Sequence, residues 1–278
     1  MYATLKQSVS MNDEIVSMCF DHNSNQLFFC YLYGGNHIYD LNYSQLPKHD
    51  NKYHSSFVPR NINSKTICMQ PITHNIVICD KDEHIVQLIN TESRVLLFEI
   101  GSKGQPGKGE TNLYYPTDVG CDQWSRIFVC DYINHRIQVY NEYGRHLHEF
   151  GRKMFAINYF NNIHVHDHCK QVLVANRFSN QVHIWSHDNC SKPIFLSNMY
   201  LENNRALSIC SNPYKYHEVI IASAHDIFVF DNRNNQCIKR INDQVHDYNY
   251  ISKICMNEID GTLLVADYIT IKLLSLNK

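Results

Sequence analysis

A motif of two large apolar residues followed by a small one recurs six times along this 278-residue chain, and it limits the possible folds more than any other feature. The copies are Phe28-Phe29-Cys30, Val77-Ile78-Cys79, Phe128-Val129-Cys130, Leu173-Val174-Ala175, Ile220-Ile221-Ala222 and Leu264-Val265-Ala266. Their small residues are spaced by 49, 51, 45, 47 and 44 positions. A small side chain at one fixed place in every copy points to close packing between neighbouring units. In five copies Asp, Asn or Ser follows (Asp80, Asp131, Asn176, Ser223, Asp267), which suits a strand end and a turn. Self-similarity at this period belongs to solenoids, propellers and arrays.

The clearest copy spans residues 115–151, YPTDVGCDQWSRIFVCDYINHRIQVYNEYGRHLHEFG. It holds four short runs rich in β-branched and aromatic residues, separated by Asn, Asp and Gly, which are strand and turn signals. First strands share a register in which Cys19, Cys68, Cys210 and Cys255 stand two before Asp21, Gln70, Asn212 and Asn257. Third strands repeat as Gln87-Leu88-Ile89, Gln138-Val139-Tyr140, His183-Ile184-Trp185, Phe228-Val229-Phe230 and Lys272-Leu273-Leu274. No helical periodicity competes with this pattern. The reading is all-β: one domain over residues 1–278, a six-bladed β-propeller of four-stranded antiparallel blades. The blades fall at about 14–45, 62–100, 115–151, 158–198, 204–241 and 248–276. The last blade lacks a fourth strand, and residues 3–9, ATLKQSV, are expected to supply it and so remove two exposed sheet edges.

Residues 131–140, DYINHRIQVY, followed by Tyr143-Gly144-Arg145 and Phe150-Gly151, resemble an NHL repeat, with Asn134-His135-Arg136 as the corner that names the family. Traces survive in Glu83-His84-Ile85 and Ser179-Asn180-Gln181, while the first, fifth and sixth copies share the pattern alone. The connector GSKGQPGKG (residues 101–109) before Tyr115-Pro116 is similar to connectors of tripartite-motif NHL proteins. That resemblance implies a recognition domain, and several such proteins are RNA-binding repressors that use the loop face. It also implies that a longer parent with RING and B-box modules would use the propeller to select targets for ubiquitin transfer.

Apolar residues make up 44% of the chain and charged ones 19%, the composition of a globular domain. There is no apolar run long enough for a membrane helix and no secretory leader, so the expectation is a cytoplasmic domain with no membrane contact, itself monomeric. Eleven cysteines would suggest disulfides in a secreted chain. Equivalent positions in different blades keep Cys19, Cys68, Cys210 and Cys255 apart, so they read as small buried hydrophobes with reduced thiols. The sequons at Asn42 and Asn189 carry little weight.

Catalytic and metal chemistry find little support, and no cofactor is expected. No C-x-x-C pair exists. His164 and His166 share a strand face and could meet one ion, although a strand running into a polar turn explains them as well. Residues 102–109, SKGQPGKG, fail as a phosphate loop because Ser102 replaces the first Gly and Gly109 stands where Ser or Thr should hold magnesium. No G-x-S-x-G elbow occurs. A metal-dependent hydrolase or lyase propeller is a minor alternative. His135 suits a turn with unusual backbone angles, and Arg136 is placed to brace a neighbouring blade.

Charge separates on the face that carries the blade connectors and the second-to-third-strand corners. The connectors into blades two, three and four hold Lys48, Lys52, Arg60, Lys103, Lys108, Arg152 and Lys153 against Asp50 and Glu110, a net +5. Those into blades six and one hold Asp13, Glu14, Asp243 and Asp247, a net −4, while Glu202 and Arg205 cancel. Cations beside aromatic rings suit single-stranded or stem-loop RNA, with phosphates on Lys and Arg and bases stacked on flat side chains. The candidate ligand residues are Lys103, Lys108, Tyr115, Tyr132, Arg152, Lys153, Arg177, Phe178 and Asn180. A face split into basic and acidic halves suits an oriented protein partner too.

Overall fold

A computed structural model of the protein describes residues 3–11, 14–21, 23–31, 38–42, 66–152, 159–176, 178–188, 192–202, 204–241 and 248–276. Those residues form strands, turns and irregular connections with no helix, so none holds a helix that could cross a membrane.

The first sheet contains β1 (Ala3–Ser10), β21 (Ile251–Asn257), β22 (Thr262–Asp267) and β23 (Thr270–Leu276), in the order β1-β23-β22-β21. The others follow chain order: β2 (Ile15–Asp21), β3 (Gln26–Tyr31), β4 (Ile38–Asn42); β5 (Thr66–Met69), β6 (Ile76–Asp80), β7 (Ile85–Ile89), β8 (Leu96–Gly101); β9 (Pro116–Cys121), β10 (Ile127–Asp131), β11 (Arg136–Tyr140), β12 (His146–Phe150); β13 (Phe160–His166), β14 (Gln171–Asn176), β15 (Gln181–Ser186), β16 (Phe195–Tyr200); and β17 (Ser208–Ser211), β18 (Glu218–Ala222), β19 (Ile227–Asp231), β20 (Gln236–Ile241). Five of these sheets are complete four-stranded blades, where six were expected. The exception, β2-β3-β4, has three strands, and residues 43–65, where a fourth would fall, lie outside the described residues.

The sheets close on one another as a β-propeller. Innermost strands pack in the cycle β2, β5, β9, β13, β17, β21 and back to β2. An apolar core fills each junction, including that between the last sheet and the first, where Leu264, Ala266 and Ile271 meet Met18, Leu27 and Phe29. Because a blade is covered on both faces, its middle strands are buried throughout, as in β6, β7, β10 and β11. This is why they read as unbroken apolar runs, while the outer strands β8 and β20 are mostly exposed and weakly marked.

The repeated small residue sits where a neighbour arrives: the Cys79 thiol donates to the Pro116 carbonyl at 3.1 Å across a blade junction. The Asp after it receives the connector that enters its own blade. Asp131 accepts from the Tyr114 amide at 2.7 Å and Asp267 from the Tyr250 amide at 2.8 Å. Side chains of the inner strands tie adjacent blades to one another. Ser17, Asp118 and Ser208 accept from the backbone amides of Ile67, Ile163 and Ile254 at 3.1, 2.9 and 3.1 Å. The expected closing strand is present as β1, antiparallel to β23 with Ser8 opposite Lys272 and one bulge between Leu5 and Gln7.

Candidate functional site

The corners between second and third strands meet the blade connectors on one face. At the corners of the second and third blades the backbone enters the left-handed region, with φ of 62° at His84 and 54° at His135. From there the His84 ring accepts a hydrogen bond from the Tyr115 amide at 3.1 Å. Asn134 donates to the Gly107 carbonyl at 2.7 Å. Arg136 is 1% exposed and spans four acceptors: Asp131 at 2.7 Å, Glu149 at 2.5 Å, and the carbonyls of Gly109 and Asn112 at 2.8 and 3.0 Å. Burial raises the Asp131 carboxyl, with Asn134, the Tyr114 amide and Arg136 opposing it. Arg136 is thus a brace for residues 101–115, the connector between the second and third blades.

Those braces position an arc of rings across blade junctions. The Lys81 ammonium lies 4.9 Å from the Tyr115 ring centre and donates to its hydroxyl at 2.8 Å. Tyr115 is 6.0 Å from Tyr132, and Tyr132 is 4.9 Å from Tyr159. Tyr159 takes His135 edge-on at 4.8 Å and Phe178 edge-on at 4.9 Å. The guanidinium of Arg205 lies 6.0 Å from the Phe178 ring. Edge-to-face pairs at these separations are favourable, and a cation beside a ring face adds to them.

Of the nine residues singled out in the sequence, the arc gathers Tyr115, Tyr132 and Phe178. Phe178 is 59% exposed and offers an open ring, whereas Tyr132 is 8% exposed, covered by Tyr115 and Tyr159, and supports the arc from beneath. Lys103 and Lys108 are exposed on the connector beside it. Arg152 is exposed but paired with Glu149, at 2.9 Å through Nε and 3.1 Å through Nη2. Asn180 is exposed, and its carbonyl accepts from the Leu201 amide at 2.8 Å. Lys153 and Arg177 lie outside the described residues. Sequence reasoning missed Lys81, Tyr159 and Arg205. Tyr159 had a signal: it immediately precedes the first strand of its blade, as Tyr115 does.

At the ring's centre a cavity of about 570 Å³ is walled by all the innermost strands. Lys253 reaches Asp118 there at 3.4 Å, from the opposite side of the ring. Burial raises Asp118, although Lys253 and the Ile163 amide counter it. His164 and His166, the expected alternative metal pair, face separate partners: Ser211 Oγ at 3.0 Å and the Tyr216 carbonyl at 2.7 Å. Burial lowers His164 to about 3, so its ring is neutral. Among the described residues no group of three His, Cys, Asp or Glu side chains is arranged to hold a metal ion.

No protein-family model and no curated protein matches this chain.

Proposed function

We propose that the propeller is a non-catalytic recognition domain whose aromatic arc binds single-stranded RNA. The observation that carries this reading is the row Tyr115, Tyr132, Tyr159 and Phe178, continuous across blade junctions and flanked by Lys81 and Arg205. Flat rings accept bases without regard to sequence, and adjacent cations accept phosphates. Exposed Lys103 and Lys108 extend the positive charge along the neighbouring connector. The likeness of residues 131–151 to an NHL repeat supports the same face and a cytoplasmic post-transcriptional role. Phe178 is the stacking platform, Arg205 the adjacent phosphate contact, and the Asp131–Arg136 brace holds the connector in place.

A second reading, protein docking, is favoured by the pairing of Arg152 with Glu149; most residues of the charge split expected from the sequence, among them Lys48, Lys52, Arg60, Asp243 and Asp247, lie outside the described residues. The propeller would then select a protein target, as the substrate-selecting part of a ubiquitin ligase does. Titration of the purified domain with a labelled random pool of short single-stranded RNA, at about 50 and 200 mM salt, separates the two. RNA recognition predicts binding that weakens steeply with salt and roughly tenfold in Phe178→Ala, the equivalent of about one stacked base. Absence of binding at the lower salt rejects it and leaves the docking reading, in which Phe178→Ala disrupts a partner complex with little salt dependence.

A further inference from the structure

Each innermost strand presents alternate residues to the blade ahead and the blade behind. Cys19, Cys68, Gly120, His164, Cys210 and Cys255 occupy one equivalent position, opposite Phe28, Val77, Phe128, Leu173, Ile220 and Leu264. They face forward: Cys19 packs with Ile67 and Ile76 of the following sheet, and Cys210 packs with Ile254 and Leu263. The next residue on each strand, Phe20, Met69, Cys121, Val165, Ser211 or Met256, faces back. Forward and backward residues therefore meet in pairs. His164 meets Ser211 at 3.0 Å, and a Cβ on Gly120 would lie 3.4 Å from Val165. Cys19, Cys210 and Cys255 share their cores with Met69, Met256 and Phe20. Among the described residues one junction sets thiol against thiol: Cys68 Sγ lies 3.4 Å from Cys121 Sγ. Both thiols line the central cavity, whose wall continues to the exposed Gln123 and Glu258.

We propose that Cys68 and Cys121 form an oxidisable dithiol site, which a hydroperoxide converts into a disulfide joining the second and third blades. The Cys68 thiolate attacks the peroxide oxygen, breaks the O–O bond and becomes a sulfenic acid, with water leaving after protonation. The Cys121 sulfur then attacks the sulfenic sulfur, forms the S–S bond and releases a second water. The two thiols lose two protons and two electrons, and hydrogen peroxide is reduced to two waters. Burial raises the Cys121 thiol, so it is the poorer first nucleophile and the peroxide attack is assigned to Cys68. A new bond between cysteines 53 positions apart closes a long loop and stabilises the fold.

The test treats the intact protein with hydrogen peroxide, blocks remaining thiols by alkylation under denaturing conditions and maps the peptides by mass spectrometry. The expected result is a Cys68–Cys121 crosslinked peptide, two hydrogens lighter, that thiol reductant restores. A melting temperature higher in the oxidised than in the reduced protein, with no such rise in Cys121→Ser, is expected alongside it. Recovery of both cysteines alkylated, of Cys68 as sulfinic acid without a crosslink, or of a disulfide between other cysteines overturns the proposal. The mapping uses the wild-type chain and does not depend on a variant's folding.

Discussion

Arg136 shows how much a single side chain does here. It is almost wholly buried, yet four acceptors from the corner, the outer strand and the connector meet on its guanidinium. A forked, permanently charged group can satisfy them together; an ammonium cannot. Arg136→Ala leaves the Asp131 carboxylate buried without its cation, and a loss of about 3 kcal/mol is expected in urea unfolding. Arg136→Lys should fall between it and the wild type. His164 makes the opposite kind of contribution. Its imidazole is held neutral by burial, with a pKa near 3 against the usual 6.5. The unfolded chain therefore takes up a proton first as pH falls, so stability is full above about pH 6.5 and declines toward pH 3 by roughly 1 kcal/mol per unit. His166 and His183 are lowered by burial too and add to the same slope. Denaturant midpoints measured from pH 7 to 5 should fall steadily, and His164→Gln should flatten that fall.

The strands differ in how much they depend on their own residues. Middle strands are specified by unbroken apolar runs, because both of their faces lie inside the ring. Outer strands are specified by where they stop. Gly151 ends β12 at φ 88°, and a Cβ there would lie 2.7 Å from the Phe160 ring of the next blade. Gly151→Ala therefore meets both backbone strain and a fixed aromatic neighbour. A destabilisation of about 2 kcal/mol is expected by thermal or urea unfolding, well beyond that of an exposed outer-strand change such as Leu147→Ala. The corners were readable at this scale. An Asn-His pair anticipates left-handed backbone, and His135 adopts it; His84, which follows Glu83, adopts it as well. The arc was readable only in part. Tyr115, Tyr132 and Phe178 stand out as aromatics near basic connectors, but nothing local shows that Tyr159 lies between Tyr132 and Phe178. That ordering comes from blade junctions.

Closure governs the whole molecule. β1 joins the beginning of the chain to its end, so its loss would leave β23 as an open, hydrogen-bonding edge on the outer rim of the ring. Deleting residues 1–10 is expected to lower the melting temperature and to produce dimers or larger species in size-exclusion chromatography with light scattering. The Lys253–Asp118 pair acts at the same scale, since it spans the ring through its centre. Lys253→Met strands the buried Asp118 carboxylate, and a loss of about 3 kcal/mol is expected; Lys253→Met with Asp118→Asn should recover part of it.

The sequence by itself determined the strand content, the repeat length, the polar residues that mark the second strands' ends and the strand that closes the ring. Each of these rests on local chemistry: β propensity, turn-forming side chains, and an apolar run that must be covered on both sides. Only the tertiary structure decided which side chains meet across junctions. It buried Tyr132 beneath its neighbours, paired Arg152 with Glu149, and brought Asp118 to Lys253 from 135 residues away. It also set Cys121 against Cys68, where the shared register of the other cysteines had indicated separation. The physical reason is the alternation of the inner strands. Cysteines at equivalent positions all face forward and stay apart, while Cys121, one residue out of that register, faces back into the same junction.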